Sequence, residues 1–208
     1  MFSGITRGLF EVVWVRREPS LIRFGVDLGA YGAGLELGAS VSIDGVCQTV
    51  VGIEGTVVAF DVIQETLDLT TLDTLEEGRL VSVERSVRVG DEIGGHEVSG
   101  HILGRGIIQE RIEDGHDVAL WIEVPTAWMR FLFAKGFVAI DGSSLTIGRV
   151  KEDSFSLHLV PETLRLTALG TKPIGAPVNV ELDARTVTIV ETVERILAAS
   201  GHLPPSLS

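Results

Sequence analysis

A thiol and two hydroxyls, Cys47, Thr49 and Thr66, return 97 residues further along the chain as Ser144, Thr146 and Thr163. Such groups both donate and accept hydrogen bonds, and a duplicated set of them suits a neutral polar ligand at the mouth of a pocket. Taken singly, side chains of this kind commonly bond the nearby backbone of turns and strands. Their return at one offset favours a site present twice. Metal chemistry is not indicated, because His96, His101, His116, His158 and His202 are scattered with no cysteine partner. The glycine-rich stretches 94–96 and 100–106 precede no helical pattern that would present its amino end to phosphate, which argues against a dinucleotide loop.

The elements that position these groups repeat at the same step. Glu65-Thr66-Leu67-x-Leu69-Thr70-x-Leu72 recurs as Glu162-Thr163-Leu164-x-Leu166-Thr167-x-Leu169. Asp44-Gly45 maps onto Asp141-Gly142, Gly78 onto Gly175, and Val83-Glu84 onto Val180-Glu181. Solenoid repeats run at about 20 to 50 residues, so a longer step means a duplicated domain. Short runs rich in β-branched residues at 9–15, 39–43, 57–62 and 80–84, then 117–124, 137–140, 145–147, 155–160 and 178–182, predict strands of a sandwich or barrel. The stretches 65–72 and 162–169 predict a helical turn or wide loop at which the chain corners. Residues 125–135 predict a short helix behind Pro125. A longer helix is expected over 186–200, where Ile189, Val190, Val193, Ile196 and Leu197 recur at three- and four-residue spacing before Gly201. Residues 203–208 are expected to fray.

Composition narrows the function classes. The chain has 208 residues, 45% of them hydrophobic, which allows two small domains each with its own core. No apolar run reaches the roughly 18 residues of a membrane span. A net charge of −12 argues against nucleic-acid partners, which call for lysine and arginine against phosphate. Cys47 is the single cysteine, and the first residues lack the pattern of a secretory signal, so a reducing, cytoplasmic setting is expected.

Five motifs in order carry a family resemblance: Met1-Phe2-Ser3-Gly4-Ile5, Asp44-Gly45-Val46-Cys47-Gln48-Thr49-Val50, Gly94-Gly95-His96-Glu97-Val98-Ser99-Gly100-His101, 136–146 with Asp141-Gly142-Ser143-Ser144-Leu145-Thr146, and Pro161-Glu162-Thr163-Leu164. Over 1–199 the chain resembles the riboflavin synthases of alpha-chain type. The resemblance implies an all-β fold of two tandem six-stranded Greek-key barrels, residues 1–95 and 96–185, followed by an oligomerisation helix and tail, 186–208. It implies transfer of a four-carbon unit between two molecules of 6,7-dimethyl-8-ribityllumazine, giving riboflavin and 5-amino-6-ribitylamino-2,4-pyrimidinedione, with no cofactor or metal. It also implies a homotrimer whose sites lie between the amino-terminal barrel of one subunit and the carboxy-terminal barrel of the next. Three copies of the helix would pack Val190, Val193 and Leu197 together, with Glu191 and Arg195 toward solvent.

Carried over by position, the resemblance implies that Phe2, Cys47, His101 and Ser144 act in catalysis, Phe2 by stacking on or closing over the bound pair. Ser40, Thr49, Thr66, Lys135, Asp141, Thr146, Thr163 and Asp183 would bind substrate. Asp141 and Asp183 read equally as turn-capping residues. The chain departs from the family pattern at Ser3, where threonine is usual, at Asp44, where asparagine is usual, and at Gln48, where leucine is usual. If buried, Gln48 needs a hydrogen-bond partner. The alternative is a non-enzymatic lumazine- or flavin-binding antenna protein. In those relatives the carboxy-terminal half or the catalytic histidine is altered, whereas Gly100-His101 and Ser143-Ser144-Leu145-Thr146 stand intact here.

Overall fold

A computed structural model of the chain describes residues 1–115 and 117–200. Among the described residues, twelve strands close into two antiparallel barrels of six, as the family resemblance implies. The first contains β1 (Gly8–Glu18), β2 (Leu21–Asp27), β3 (Ser40–Ile43), β4 (Val46–Glu54), β5 (Val57–Ile63) and β6 (Leu80–Arg85). The second contains β7 (Gly104–Asp114), β8 (Asp117–Glu123), β9 (Phe137–Ile140), β10 (Ser143–Val150), β11 (Ser154–Leu159) and β12 (Pro177–Leu182). Around the first barrel the order is β1-β2-β5-β4-β3-β6, and the second repeats it as β7-β8-β11-β10-β9-β12. Closure removes the free sheet edges that would otherwise invite pairing with other chains.

Alternation builds each core. In β5 the buried positions are Val58, Phe60 and Val62, every second residue, and Phe60 meets Phe24 of β2 with ring centroids 5.4 Å apart. The second barrel is filled in the same way by Ile122, Phe155 and Leu157. Three strands, β2, β4 and β7, go unread in the sequence. β4 and β7 each carry a register shift that breaks the two-residue period, and Arg23 and Gly25 interrupt the apolar run of β2.

The repeated corner motif forms a helical turn in each half, α1 (Gln64–Leu69) and α2 (Pro161–Leu166). The expected helix at 125–135 is instead a 3-10 turn at Thr126–Phe131, which leads into Lys135 at φ +69°. The final helix, α3, runs Ala184–Ala199 and is capped by Asp183, whose carboxylate accepts from Thr186 N and Oγ1 at 3.0 and 2.7 Å. Its Val187 and Val190 pack on the second barrel, and Glu194 pairs with Arg130 at 2.8 Å. Val190 is therefore taken by its own chain. The apolar side left facing outward is Ile189, Val193, Ile196 and Leu197. The tail 203–208 lies outside the described residues. No helix among the described residues is long and apolar enough to cross a membrane.

Where the barrels meet, the Asp44-Gly45 turn sits against the Asp141-Gly142 turn. Both aspartates are fully buried. Asp44 accepts from Ser82 N and Arg79, each at 2.7 Å, and Asp141 accepts from Asn179 N at 2.8 Å and Lys172 Nζ at 2.5 Å. Asn179 reaches across, donating to the Asp44 carbonyl at 2.7 Å and accepting from Thr71 N at 2.8 Å. Desolvation on this scale is tolerated only because each carboxylate has a cation and a backbone donor.

Candidate functional site

Two clasps related by the repeat position the site. Glu84, near the end of β6, accepts from Ser3 N, Ser3 Oγ and Gly4 N at 2.7, 2.7 and 3.0 Å. Glu181, near the end of β12, accepts from Ser99 N, Ser99 Oγ and Gly100 N at 2.7, 2.7 and 2.9 Å. The clasps are crossed. Glu84 belongs to the first barrel, but the segment it holds is seated on the second, where the Gly4 carbonyl accepts from Ser144 N at 2.8 Å. Glu181 belongs to the second barrel and holds its segment on the first, where the Gly100 carbonyl accepts from Cys47 N at 2.9 Å. A Cβ on Gly4 would lie 2.5 Å from Ser144 Cβ, and one on Gly100 2.6 Å from Cys47 Cβ, so only glycine permits this approach. Burial raises both glutamates above the usual carboxylate range, against the lowering pull of the serine and glycine donors. Neither clasp was read as functional from the sequence, although Val83-Glu84 and Val180-Glu181 stood out as a repeated pair.

The amino-terminal half-site is open. Cys47, Thr66, Thr70 and His101 line a cavity of about 240 Å³ between β4, α1 and the segment after Glu181's clasp. Cys47 and His101 also border a larger pocket of about 720 Å³ that continues past Ser99 to Asp183, Arg185 and Thr188 at the start of α3. Ser40 and Thr49 are cross-strand partners on β3 and β4, separated by one pair from Ser42 and Cys47, and lie outside these linings. Gln48 is buried and donates to the Cys47 carbonyl at 3.1 Å, which supplies the partner its burial requires. Ser3 uses its hydroxyl in the Glu84 clasp.

The repeat partners of Cys47, Thr49 and Thr66 lie on the corresponding elements of the second barrel. Ser144 and Thr146 lie on β10, and Thr163 on α2 with its carbonyl accepting from Thr167 Oγ1 at 2.7 Å, just as Thr66 accepts from Thr70. Lys135 is exposed beside this barrel, its backbone N bonded to the Ile147 carbonyl. Asp183 lines the larger pocket while capping α3; burial raises its carboxyl, but the Thr186 bonds outweigh this and hold it below the usual range.

Two sequence expectations need correction. The Phe2 ring was expected over the ligands, but it is fully buried among Val98 and Ala139, with Cys47 packed against it, and its backbone pairs with Val98 at 2.7 and 3.1 Å. With no exposed face, the ring is not placed to stack on a ligand, and Cys47 packs against the cluster it forms with Val98 and Ala139. Asp141 was expected to bind substrate; it is fully buried where the barrels meet, accepting from Lys172 and from Asn179 N. One residue was missed. His96 Nδ1 lies 2.6 Å from Ser144 Oγ, and its ring stacks on Phe137 with centroids 5.2 Å apart and planes at 19°. Because His96 has no counterpart in the repeat, periodicity could not single it out.

The family described as "Lumazine binding domain" matches the chain twice, at residues 3–86 and 99–183, which covers both barrels. The chain belongs to this family. Its sequence is 43% identical to riboflavin synthase of Escherichia coli (strain K12) over 201 residues, 96% of this chain and 94% of that one. It is 42% identical to riboflavin synthase of Chlamydia trachomatis serovar D, over 95% of this chain and 97% of that one. Among solved structures it resembles LumP complexed with riboflavin, with a TM-score of 0.82, 27% identity and coverage of 88% of this chain and all of that one. LumP complexed with 6,7-dimethyl-8-(1'-D-ribityl) lumazine gives a TM-score of 0.78 at 27% identity, over 87% and 98%. The lumazine-binding fold is thus present in both halves.

Proposed function

We propose that the protein is a riboflavin synthase, converting two molecules of 6,7-dimethyl-8-ribityllumazine into riboflavin and 5-amino-6-ribitylamino-2,4-pyrimidinedione. The observation that carries this reading is the full-length likeness to riboflavin synthases at above 40% identity, on a chain whose two barrels present matching polar sets. The reaction joins two copies of one substrate. A protein with two similar ring-binding sites suits it, because fixing both reactants face to face supplies up to about 7–11 kcal/mol of the barrier. Cys47, Thr66 and His101 would hold one ring in the open cavity, and Ser144, Thr146 and Thr163 the other. Proton removal from a ring methyl and transient addition to the partner ring call for hydroxyl, thiol and imidazole groups of these types.

The shared-site homotrimer belongs to this proposal, as does a cytoplasmic location. The outward apolar stripe of α3 supports assembly, since a helix with Ile189, Val193, Ile196 and Leu197 uncovered gains by packing against copies of itself. Deleting the residues after Arg185 is expected to shift the protein to a smaller species in light scattering and to abolish turnover. A truncated monomer that is fully active would contradict the shared site.

The test of function is incubation of purified protein with the lumazine alone while following flavin absorbance. The enzyme reading expects riboflavin with nothing else added. Lumazine that is bound but recovered unchanged would contradict it and point to an antenna-type binding protein, the reading that the likeness to LumP supports.

A further inference from the structure

We infer that His96 is a positioning residue of the carboxy-terminal half-site, fixing the Ser144 hydroxyl in one orientation toward a bound ring. This rests on the lumazine-converting reading above. Four contacts make the pair a built feature. The Nδ1 to Oγ distance is 2.6 Å, the imidazole is stacked on Phe137, the Ser144 backbone is pinned to Gly4, and Gly95 passes so close that a Cβ there would lie 2.5 Å from both Ser144 Cβ and the Ser3 carbonyl. With Nδ1 unprotonated, the Ser144 O–H donates to it, and the serine lone pairs are left as acceptors for an N–H or O–H of the ligand. Burial keeps the imidazole below its ordinary range, against the raising pull of Asp183, so the neutral ring that this bond requires is the form present at neutral pH.

The other half-site lacks the device. At the 97-residue step Cys47 stands for Ser144 and Ser40 for Phe137, and α3 occupies the chain position that corresponds to the Gly94–His96 strap. Its own histidine, His101, is exposed and lines the open cavity. Two chemically identical substrates therefore meet unlike surroundings, which is what a reaction needs when one molecule gives a four-carbon unit and the other receives it.

The experiment compares H96A, H96F, H96N, S144A and the H96A/S144A double variant for kcat and KM with the lumazine, alongside melting temperature. H96F keeps the stack on Phe137 without a ring nitrogen, so it reports on the hydrogen bond even if H96A fails to fold. H96A and H96F are expected to lower kcat by about 10- to 100-fold with KM changed less than about threefold. H96N, whose amide oxygen can accept in place of Nδ1, is expected to recover most of that loss. The S144A and H96A losses should fail to multiply in the double variant, because both remove one interaction. A kcat for H96F within about twofold of the parent, or losses that multiply, would overturn the inference. Absence of riboflavin from the parent protein would instead overturn the functional reading, and the inference with it.

Discussion

Replacing Lys172 with methionine is expected to destabilise the protein by about 3–5 kcal/mol at neutral pH, the usual cost of leaving a buried charge without its partner. Asp141 is fully buried, and Lys172 Nζ at 2.5 Å is the cation that faces it. The sign of the pH dependence follows from burial, which holds the Asp141 carboxyl above the usual range while Lys172 pulls it down. A carboxyl whose folded pKa is raised favours the folded state fully below its unfolded value of about 3.9, and that contribution is lost as pH rises through the folded value. Removing the ammonium raises the folded value further. The penalty of K172M should then be largest near pH 7 and shrink as pH falls toward 4, in urea denaturation at both pH values. A penalty that is small at pH 7, or that grows on acidification, would show that Asp141 does not depend on Lys172.

Glu181→Ala is expected to cut turnover by about 100-fold, the scale of loss when reacting groups move by about 1 Å. The carboxylate accepts three hydrogen bonds from Ser99 and Gly100, and through them sets His101 and the floor beneath Cys47. The variant strips three donors of one charged acceptor, so a stability loss of about 2–4 kcal/mol should accompany it. Because the clasp crosses from one barrel to the other, the activity loss should exceed that of a core variant of equal stability, such as a truncated aliphatic in β8. Equal specific activity for the two folded variants would reduce Glu181 to a stabilising contact.

Two β-rich domains were legible in the sequence because each half carries similar strand-like runs and the same corner motif. Their closure as six-stranded barrels, and His101 as a site residue, came from the family resemblance and not from the repetition. Cys47, Thr66 and His101 do share one cavity. What stayed hidden depends on partners distant in sequence. An aspartate in a turn reads alike as ligand or structural anchor, and only Lys172, 31 residues away, assigns Asp141 to the barrel interface. Phe2 reads as a mobile terminal ring until its pairing with Val98, 96 residues on, buries it. Glu84 and Glu181 look like ordinary strand-end acids, since nothing local tells that the chain's own glycines return to them.

Under the proposed function, a working site takes its amino-terminal half from one subunit and its carboxy-terminal half from another. Co-expression of two inactive variants tests it directly, one crippled at Cys47 and His101 and the other at Ser144 and Thr146. Random mixing in a closed ring of three should leave about a quarter of the sites with two intact halves, so riboflavin formation should return to about a quarter of the parent rate per site. Mixed assemblies as inactive as either variant alone would place both halves of the site within one chain and contradict the account.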